Sequence, residues 1–488
     1  MTTAVQPRSL SIPEPLLVDR SKRIRIVGWL IFSYIVLLMF EGSLRKWIVP
    51  RYSDQLLVVR DPVLILIYLA AFWAGVFPRN AWITSLAIIG ALSVILTIFV
   101  FMPYLPALWK PLTLIILYGF RTDFLHMPLI FLMAKIFDER DVRRIGWWIL
   151  VGMIPLCLLM VAQFNAAPDS FINRAAGSLE EGGEQITAGS GKIRPPGTFS
   201  FISGPIFYCS LSAAFFLYGI LSRQTYRMWL LIASGVSLVV AVSVSGSRGC
   251  VVSVVVVILT LVLMFAIRPR AVNQVGRTLL IGFAAAYIIG HLPVFKEGLG
   301  VLGERFTASS EAGDTTLVKG LVDRIVEGFT EPFTHIDKIP LSGYGLGLGT
   351  NAGSHFLLGM AAFLLSENEW DRVLNESGPI LGMAFILWRT LLTCYLGYLG
   401  LTALKRGQTL PLLLFSCAAV PLITGQLGQP TSLGFAVVLA GLCLSSLQKS
   451  GDGIDQPDFA VPITPAKPLP RRSAYASRIH GPPNDSPQ

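Results

Sequence analysis

Residues 228–267 read MWLLIASGVSLVVAVSVSGSRGCVVSVVVVILTLVLMFAI, two long apolar stretches separated by the short polar sequence SGSRG. Each stretch approaches the roughly 20 apolar residues that a helix needs to cross a bilayer. The glycines of SGSRG permit a tight backbone turn. The segment therefore predicts two membrane-spanning helices that meet in a turn at one face of the membrane.

The composition of the whole chain agrees with this prediction. Of the 488 residues, 53% are hydrophobic and only 14% are charged, and the mean hydropathy is +0.63. Soluble domains carry about 25% charged residues, so a soluble chain of this composition would lack a polar surface. The net charge of +10 comes mainly from short loops between apolar stretches, where basic residues orient helices. We therefore expect no nucleic-acid partner.

Similar apolar stretches recur along the chain and predict an all-α polytopic membrane protein with about twelve transmembrane helices. One stretch, 108–137, is interrupted by Arg121 and Asp123, and is either one tilted helix or a helix with a re-entrant piece. The stretches lie near 24–40, 55–77, 82–101, 108–137, 145–164, 200–221, 228–245, 249–267, 278–295, 378–402, 410–427 and 430–447.

The distribution of Lys and Arg in the connections predicts the orientation of these helices, because cytoplasmic loops are enriched in both residues. The alternation places both termini in the cytoplasm, and we expect the membrane to be the inner membrane of a bacterium. Two long polar loops, about 165–199 and 296–377, then lie on the periplasmic side, and the second is long enough to contain helices. The polar ends, 1–20 and 449–488, are predicted to be disordered and to flank a transmembrane domain at 21–448.

The cysteines do not indicate a metal site or a disulfide framework. All six fall within or beside apolar stretches, and none forms a CxxC pair. No DxD motif or other clear metal cluster is present either, so we expect no metal and no cofactor. The cysteines are Cys157, Cys209, Cys250, Cys394, Cys417 and Cys443.

Two arginines are candidates for binding an anion at the periplasmic face. Arg248 lies in the SGSRG turn, where a guanidinium can bind a phosphate oxygen bidentately. Arg194 begins RPPGTFSFISGP, in which Gly197 allows a turn and Thr198 or Ser200 can cap the next helix. The alternatives are an arginine that anchors in the lipid headgroups and an ordinary helix cap.

The second periplasmic loop contains further candidates. Arg305 and Arg324 are basic, GYGLGLG at 343–349 is expected to shape a close-packed loop, and His355 is a candidate general base or a structural histidine. The glycine run is not a dinucleotide fingerprint, because no strand–helix unit surrounds it.

The stretch ENEWDRVLNESGPILG, residues 367–382, is dense in charge and leads into an apolar run. Spacings of three and four place Glu369, Arg372 and Glu376 near one helix face. The pattern predicts a salt bridge between Arg372 and one carboxylate, with another carboxylate left free as a base; the alternative is a solvated helix start with acids at its positive end. Arg389, farther along the run, must face a partner or a cavity.

In their order along the chain, RPPGTF, GSRG, GYGLGLG and NESGPILG resemble the motifs of the O-antigen ligase and O-antigen polymerase superfamily of bacterial envelope proteins. The resemblance covers about 190–400, and EGSLRKW with VVRDP near the start is similar to a subgroup of polymerase-like proteins. It implies a GT-C-like membrane glycosyltransferase, independent of metal. Such an enzyme passes a glycan from undecaprenyl diphosphate to an acceptor in the periplasm.

The resemblance also implies roles for individual residues. Arg248 matches the arginine of the family's SRG turn, which is implicated in holding the diphosphate, and Arg194 and Arg324 lie where other basic residues of the family lie. Glu367-Asn368 stands where the family pattern often has His-Asn. The base is then Glu367, Glu369 or His355, or catalysis is lost or altered. Arg305 and Arg372 are further candidates for substrate binding.

Three functions remain open from the sequence. The first is a polymerase or ligase of lipid-linked glycan, with polymerase preferred. The second is a flippase or transporter of such a glycan, for which Arg389 is the best feature. The third is a non-catalytic scaffold that contacts other polysaccharide assembly proteins, for which the absence of the family histidine is the main support. Membrane lipid is a partner in each case.

Overall fold

The computed structural model of the chain describes residues 14–177, 187–189, 192–222, 225–267, 328–360 and 362–448. Helices dominate these residues, and two short strands, β1 (Thr187–Gly189) and β2 (Lys192–Ile193), pair antiparallel. Helix α1 begins within the segment 1–20 for which the composition predicts disorder. The helices are α1 (Glu14–Ser43), α2 (Ser53–Leu56), α3 (Arg60–Trp73), α4 (Ala81–Phe101), α5 (Leu105–Phe120), α6 (Pro128–Ile136), α7 (Glu139–Asn165), α8 (Ser203–Leu221), α9 (Met228–Val244), α10 (Arg248–Ile267), α11 (Asn351–Leu358), α12 (Glu369–Lys405), α13 (Leu410–Ile423) and α14 (Pro430–Ser445).

Several of these helices are suited to a membrane. Within the described residues, six are long and apolar enough to cross one, and two bent pairs raise the number to eight if each pair is one span. Three shorter apolar helices, α9, α13 and α14, have 17, 14 and 16 residues. The chain is thus an all-helical protein with the helices of a membrane protein. The predicted apolar stretches other than 278–295, which lies outside the described residues, each coincide with a helix.

The interrupted stretch 108–137 is a helix with a break. Helix α5 runs into a π-helical turn, Arg121–Leu125, and α6 follows at an angle of 41°. A π-helical turn shifts the hydrogen-bond register, so successive side chains leave the helix in unusual directions. Arg121 and Asp123 consequently enter different buried networks, which are described below.

Helix α14 lies among other helices rather than at the lipid face. All its residues are buried, and it packs against α1, α6, α8 and α13. Two glycines make this possible: a Cβ on Gly434 would overlap the Arg60 guanidinium, and one on Gly441 would lie 2.5 Å from Met133 Sδ. Small residues at such positions let helices approach closely without a side chain between them.

The end of α1 and the segment RPPGTFSF form one buried junction. The Lys46 ammonium donates to the carbonyls of Gly197 and Phe199, at 2.7 Å each. Arg45 donates to the Ser200 hydroxyl at 3.0 Å. The prediction that Thr198 or Ser200 caps α8 is wrong, because α8 begins at Ser203 without a side-chain cap. Arg45 and Lys46, two buried cations just after α1, bind the Ser200 hydroxyl and backbone carbonyls of this segment instead.

Gly42 allows this junction, and its replacement provides the first prediction. A Cβ at Gly42 would overlap the carbonyl carbon of Phe199, a backbone atom that cannot turn aside. We expect Gly42→Val to lower the thermal stability of the purified protein by several degrees, because overpacking costs about 1–3 kcal/mol. Gly328→Ala is the control, since nothing lies within 4 Å of its Cβ position. Equal melting temperatures for the two variants would contradict the packing at this junction.

Candidate functional site

The first turns of α12 and the π-helical turn bring several buried charges together. The Arg372 guanidinium donates to three carboxylates: Glu369 at 3.0 and 3.1 Å, Glu376 at 2.7 Å and Asp123 at 2.8 Å. The spacing of three and four along α12 places Glu369, Arg372 and Glu376 on one face, as the sequence predicts. The prediction that one of the two glutamates stays free is wrong, because Arg372 binds both.

Arg389, farther along α12 than Glu376, completes this carboxylate–guanidinium cluster. It donates to Glu369 at 2.7 Å and to the carbonyls of Leu422 and Gly425 at 2.8 and 3.0 Å. The cluster thus contains three carboxylates and two guanidiniums, all buried. With every group ionised, the cluster carries one net negative charge. It is therefore not suited to bind an anionic ligand.

A kink in α12 and the run GYGLGLG contact the cluster through backbone hydrogen bonds. Gly378 has a φ of 77°, and the backbone N–H groups of Tyr344 and Gly345 donate to carbonyls at this kink. The N–H of Gly349 donates to Glu376 Oε1 at 2.8 Å. Gly347, with a φ of 89°, packs against Gly119 of α5. The glycine run is therefore a close-packed loop, in which Gly343 and Gly347 lie directly against backbone atoms of other segments.

A small cavity of about 30 Å³ lies beside the cluster, between the loops at 349–352, 363–369 and 426–430. Its charged lining residues are Glu367, Glu369 and Arg372. The neutral hydrogen-bonding side chains of the lining are Thr350, Asn351, Ser366, Gln426 and Gln429. The side chains of Leu57, Tyr118 and Phe363 supply apolar surface. Amides, hydroxyls, a carboxylate and an aromatic ring are the groups that bind a polar, neutral ligand such as a sugar.

The two candidate glutamates of this cavity differ in their surroundings. Glu369 is 4% exposed and its carboxylate accepts three hydrogen bonds from two arginines. Glu367 is exposed, and within the described residues only its backbone carbonyl is hydrogen-bonded, by the Gln426 amide at 3.0 Å. Two cations hold the Glu369 carboxylate in its charged form, so it is a poor proton acceptor. Glu367 is the better placed of the two to receive a proton.

Of the other predicted residues, the three that the structure describes do not line the cavity. Arg194 follows β2 and is half-buried, and its buried Nε has no hydrogen-bond partner among the described residues. Arg248 is the first residue of α10, directly after a three-residue turn in which Gly246 has a φ of 56°. His355 lies in α11 and is half-buried, and its Nδ1 has no partner in the part of the chain that the structure describes. Arg305 and Arg324 lie outside the described residues.

A second buried network was not foreseen from the sequence. The Tyr34 hydroxyl bonds His126 Nδ1 at 2.8 Å, His126 Nε2 bonds Asp61 at 3.1 Å, and Arg121 Nε donates to Asp61 at 2.6 Å. An ionised Asp61 only accepts, so Nε2 of His126 donates and its Nδ1 accepts from Tyr34. The sequence feature that could have indicated this network is RTDFLH at 121–126, which places three ionisable side chains inside one apolar stretch. Ionisable residues are costly in a membrane and are usually functional.

This second network reaches the rim of the cavity through a buried ion pair. Arg60 donates to the Tyr34 hydroxyl at 3.5 Å, to Glu41 at 2.8 Å and to the carbonyl of Pro430, a residue of the cavity lining. Glu41 also lies 3.8 Å from Arg45, which binds Ser200. The segment RPPGTFSF is therefore connected to the cavity rim by a continuous series of polar contacts.

Comparison with known proteins adds no relative. Neither family models, nor curated proteins, nor solved structures match this chain. In the described part of the chain, no group of three or more His, Cys, Asp and Glu side chains is arranged to hold a metal ion.

Proposed function

We propose that this chain is a membrane glycosyltransferase that moves a glycan from undecaprenyl diphosphate to a sugar hydroxyl on the periplasmic side, as a polymerase rather than a ligase. The observation that supports this function best is the cavity, in which the exposed carboxylate of Glu367 stands among neutral hydrogen-bonding side chains. A sugar acceptor needs both, a base for its hydroxyl and partners for its other polar groups.

The proposed reaction is a single displacement. The acceptor hydroxyl oxygen bonds to the anomeric carbon of the donor glycan while the bond from that carbon to the diphosphate oxygen breaks. Glu367 takes the hydroxyl proton, and the lipid diphosphate leaves with its negative charge. Attack from the face opposite the leaving group inverts the anomeric carbon. Guanidinium groups aimed at the diphosphate lower the barrier by stabilising the charge that develops there.

Arg248 and Arg194 are the proposed diphosphate ligands, and the helices that follow them along the chain, α10 and α8, pack together. The Ser253 hydroxyl of α10 donates to the Ile206 carbonyl of α8 at 3.2 Å. Gly249, next to Arg248, faces the Ile206 side chain. The segment that begins at Arg194 therefore leads into the helix on which α10 packs. Arg372 is not a diphosphate ligand in this proposal, since three carboxylates already occupy it.

Arg248→Ala is the variant that tests the donor side. We expect polymer formation to fall on the order of 10²-fold, the usual cost of one lost charge-stabilising donor, while the protein remains in the membrane. Polymer length in a complemented deletion strain measures the effect. Arg406→Gln, at the exposed end of α12, removes a positive charge away from the cavity and is the control. Full-length polymer in the Arg248→Ala strain would contradict the proposed phosphate contact.

Purified chain supplied with lipid-linked repeat units distinguishes the enzyme from its rivals. Chain growth in this assay supports the transferase, whereas absence of growth with a folded protein supports the scaffold. In a deletion strain, lipid-linked units that accumulate only on the inner leaflet would indicate a flippase. Arg389, the feature that favoured a transporter, is bound to Glu369 and two carbonyls. These contacts hold α12 against α13, so a structural role is enough to explain Arg389 without transport.

A further inference from the structure

The side-chain carboxamide of Asn351 belongs to the cavity lining and has no hydrogen-bond partner in the described part of the chain. Asn351 is the first residue of α11. Its Oδ1 is buried without a donor, and its Nδ2 donates to none of the described residues. Buried polar side-chain atoms are almost always hydrogen-bonded, so a carboxamide left unused at a cavity indicates a site for a ligand.

Other neutral polar side chains of the lining already have partners within the protein. The Gln426 amide donates to the Glu367 carbonyl at 3.0 Å, and its oxygen accepts from Gln429 at 2.7 Å. The Thr350 hydroxyl both donates and accepts within its own turn. Compared with these three side chains, Asn351 offers the most unused capacity, an acceptor oxygen and an NH₂ group with two protons.

The size of the cavity limits what this carboxamide can bind. A volume of about 30 Å³ is room for about two water-sized groups. A hydroxyl group is close to a water molecule in size, so two hydroxyls on one edge of a sugar fill this space. The rest of the ring then lies on the solvent side, where Phe363, a lining residue that is 40% exposed, offers an apolar surface.

We propose that the Asn351 carboxamide binds two adjacent hydroxyls of the acceptor sugar and thereby selects acceptors that carry such a pair. This inference rests on the proposed function for the role of that sugar. The oxygen and the NH₂ group of a carboxamide lie side by side, as do two adjacent hydroxyls of a ring. One hydroxyl donates to Oδ1 while the other accepts from Nδ2. Glu367, in the same lining, takes the proton of a further hydroxyl.

Binding of small ring diols to the full chain in nanodiscs tests this proposal, by NMR titration against empty nanodiscs. The two probes are vicinal cyclohexanediol and its isomer with the hydroxyls one carbon farther apart, which have the same composition. We expect the vicinal diol to bind about fivefold more tightly, because it forms one more neutral hydrogen bond. Asn351→Leu should remove this preference. Asn165→Leu, which replaces an exposed carboxamide at the end of α7, is the matched control and should keep it.

The melting temperature separates ligand binding from a structural role. Leucine replaces a carbonyl group that is buried without a partner, so Asn351→Leu should melt no lower than the unmodified protein. A clear loss of stability would overturn the inference in favour of a structural role.

The binding results distinguish this inference from the proposed function. A vicinal preference that persists in Asn351→Leu would overturn the role of Asn351 and leave the proposed function standing. Equal binding of the two diols to the unmodified protein would also overturn it, since the carboxamide would then bind water alone. Binding requires no glycan transfer. A chain that shows the preference but does not lengthen lipid-linked glycan would therefore retain the diol site and contradict the transferase.

Discussion

Replacing Arg372 with methionine is expected to remove most of the folded protein from the membrane. The substitution keeps an unbranched side chain of similar length but leaves Asp123, Glu369 and Glu376 with one guanidinium, Arg389. Leaving buried charges without a partner costs roughly 3–5 kcal/mol, a large part of the stability of an ordinary protein. Size-exclusion chromatography of the detergent extract should show little monodisperse protein.

Glu376→Gln is the informative comparison, because it shifts the net charge of the same cluster in the opposite direction to Arg372→Met. It removes one negative charge, so that two carboxylates face two guanidiniums, and the new side-chain amide still offers an oxygen to the N–H of Gly349. We expect its melting temperature to stay close to that of the unmodified protein. Arg406→Met, at the exposed end of the same helix, should also be neutral. An Arg372→Met protein as stable as either would show that the cluster does not hold α12 in place.

Local features of the sequence predicted the helices well. The length of an apolar stretch and the lipid-spanning length of a helix are related directly, so stretches such as 82–101 and 249–267 correspond to α4 and α10 within a residue or so. Arg121 and Asp123 marked the break in 108–137, because charges inside an apolar helix must leave it for a partner. Spacings along one helix likewise placed Glu369, Arg372 and Glu376 together.

Partners on different helices were not predictable in this way. Asp123 and Arg372 are 249 residues apart, and nothing local to either indicates the other. Arg389 was expected to need a partner, but its pairing with Glu369 depends on the kink at Gly378 and on α13. The cavity draws on several separate segments, so its lining could not be listed from the sequence. Which of two neighbouring glutamates is free depends on these long-range contacts.

Replacing Glu367 with glutamine is expected to abolish glycan transfer and to leave the fold unchanged. The carboxylate is exposed to the cavity, so its loss removes no buried contact, whereas removal of a general base slows a reaction by about 10²–10⁴-fold. Single-turnover rates with a lipid-linked repeat and a sugar acceptor measure the effect. Since glutamine keeps the size and shape of the side chain and one acceptor oxygen, acceptor affinity should change much less than the rate.

Two further variants separate Glu367 from the other candidate bases. Glu369→Gln should act mainly on stability, because two arginines lose a charged partner, and His355→Gln should transfer glycan at close to the normal rate. Glu367→Ala leaves space for a small carboxylate, so added formate should restore part of its lost rate by accepting the hydroxyl proton. Normal transfer by Glu367→Gln together with a large loss in His355→Gln would assign the base to His355. Formate would then have no effect on Glu367→Ala, since a merely structural role of Glu367 is not restored by a diffusible proton acceptor.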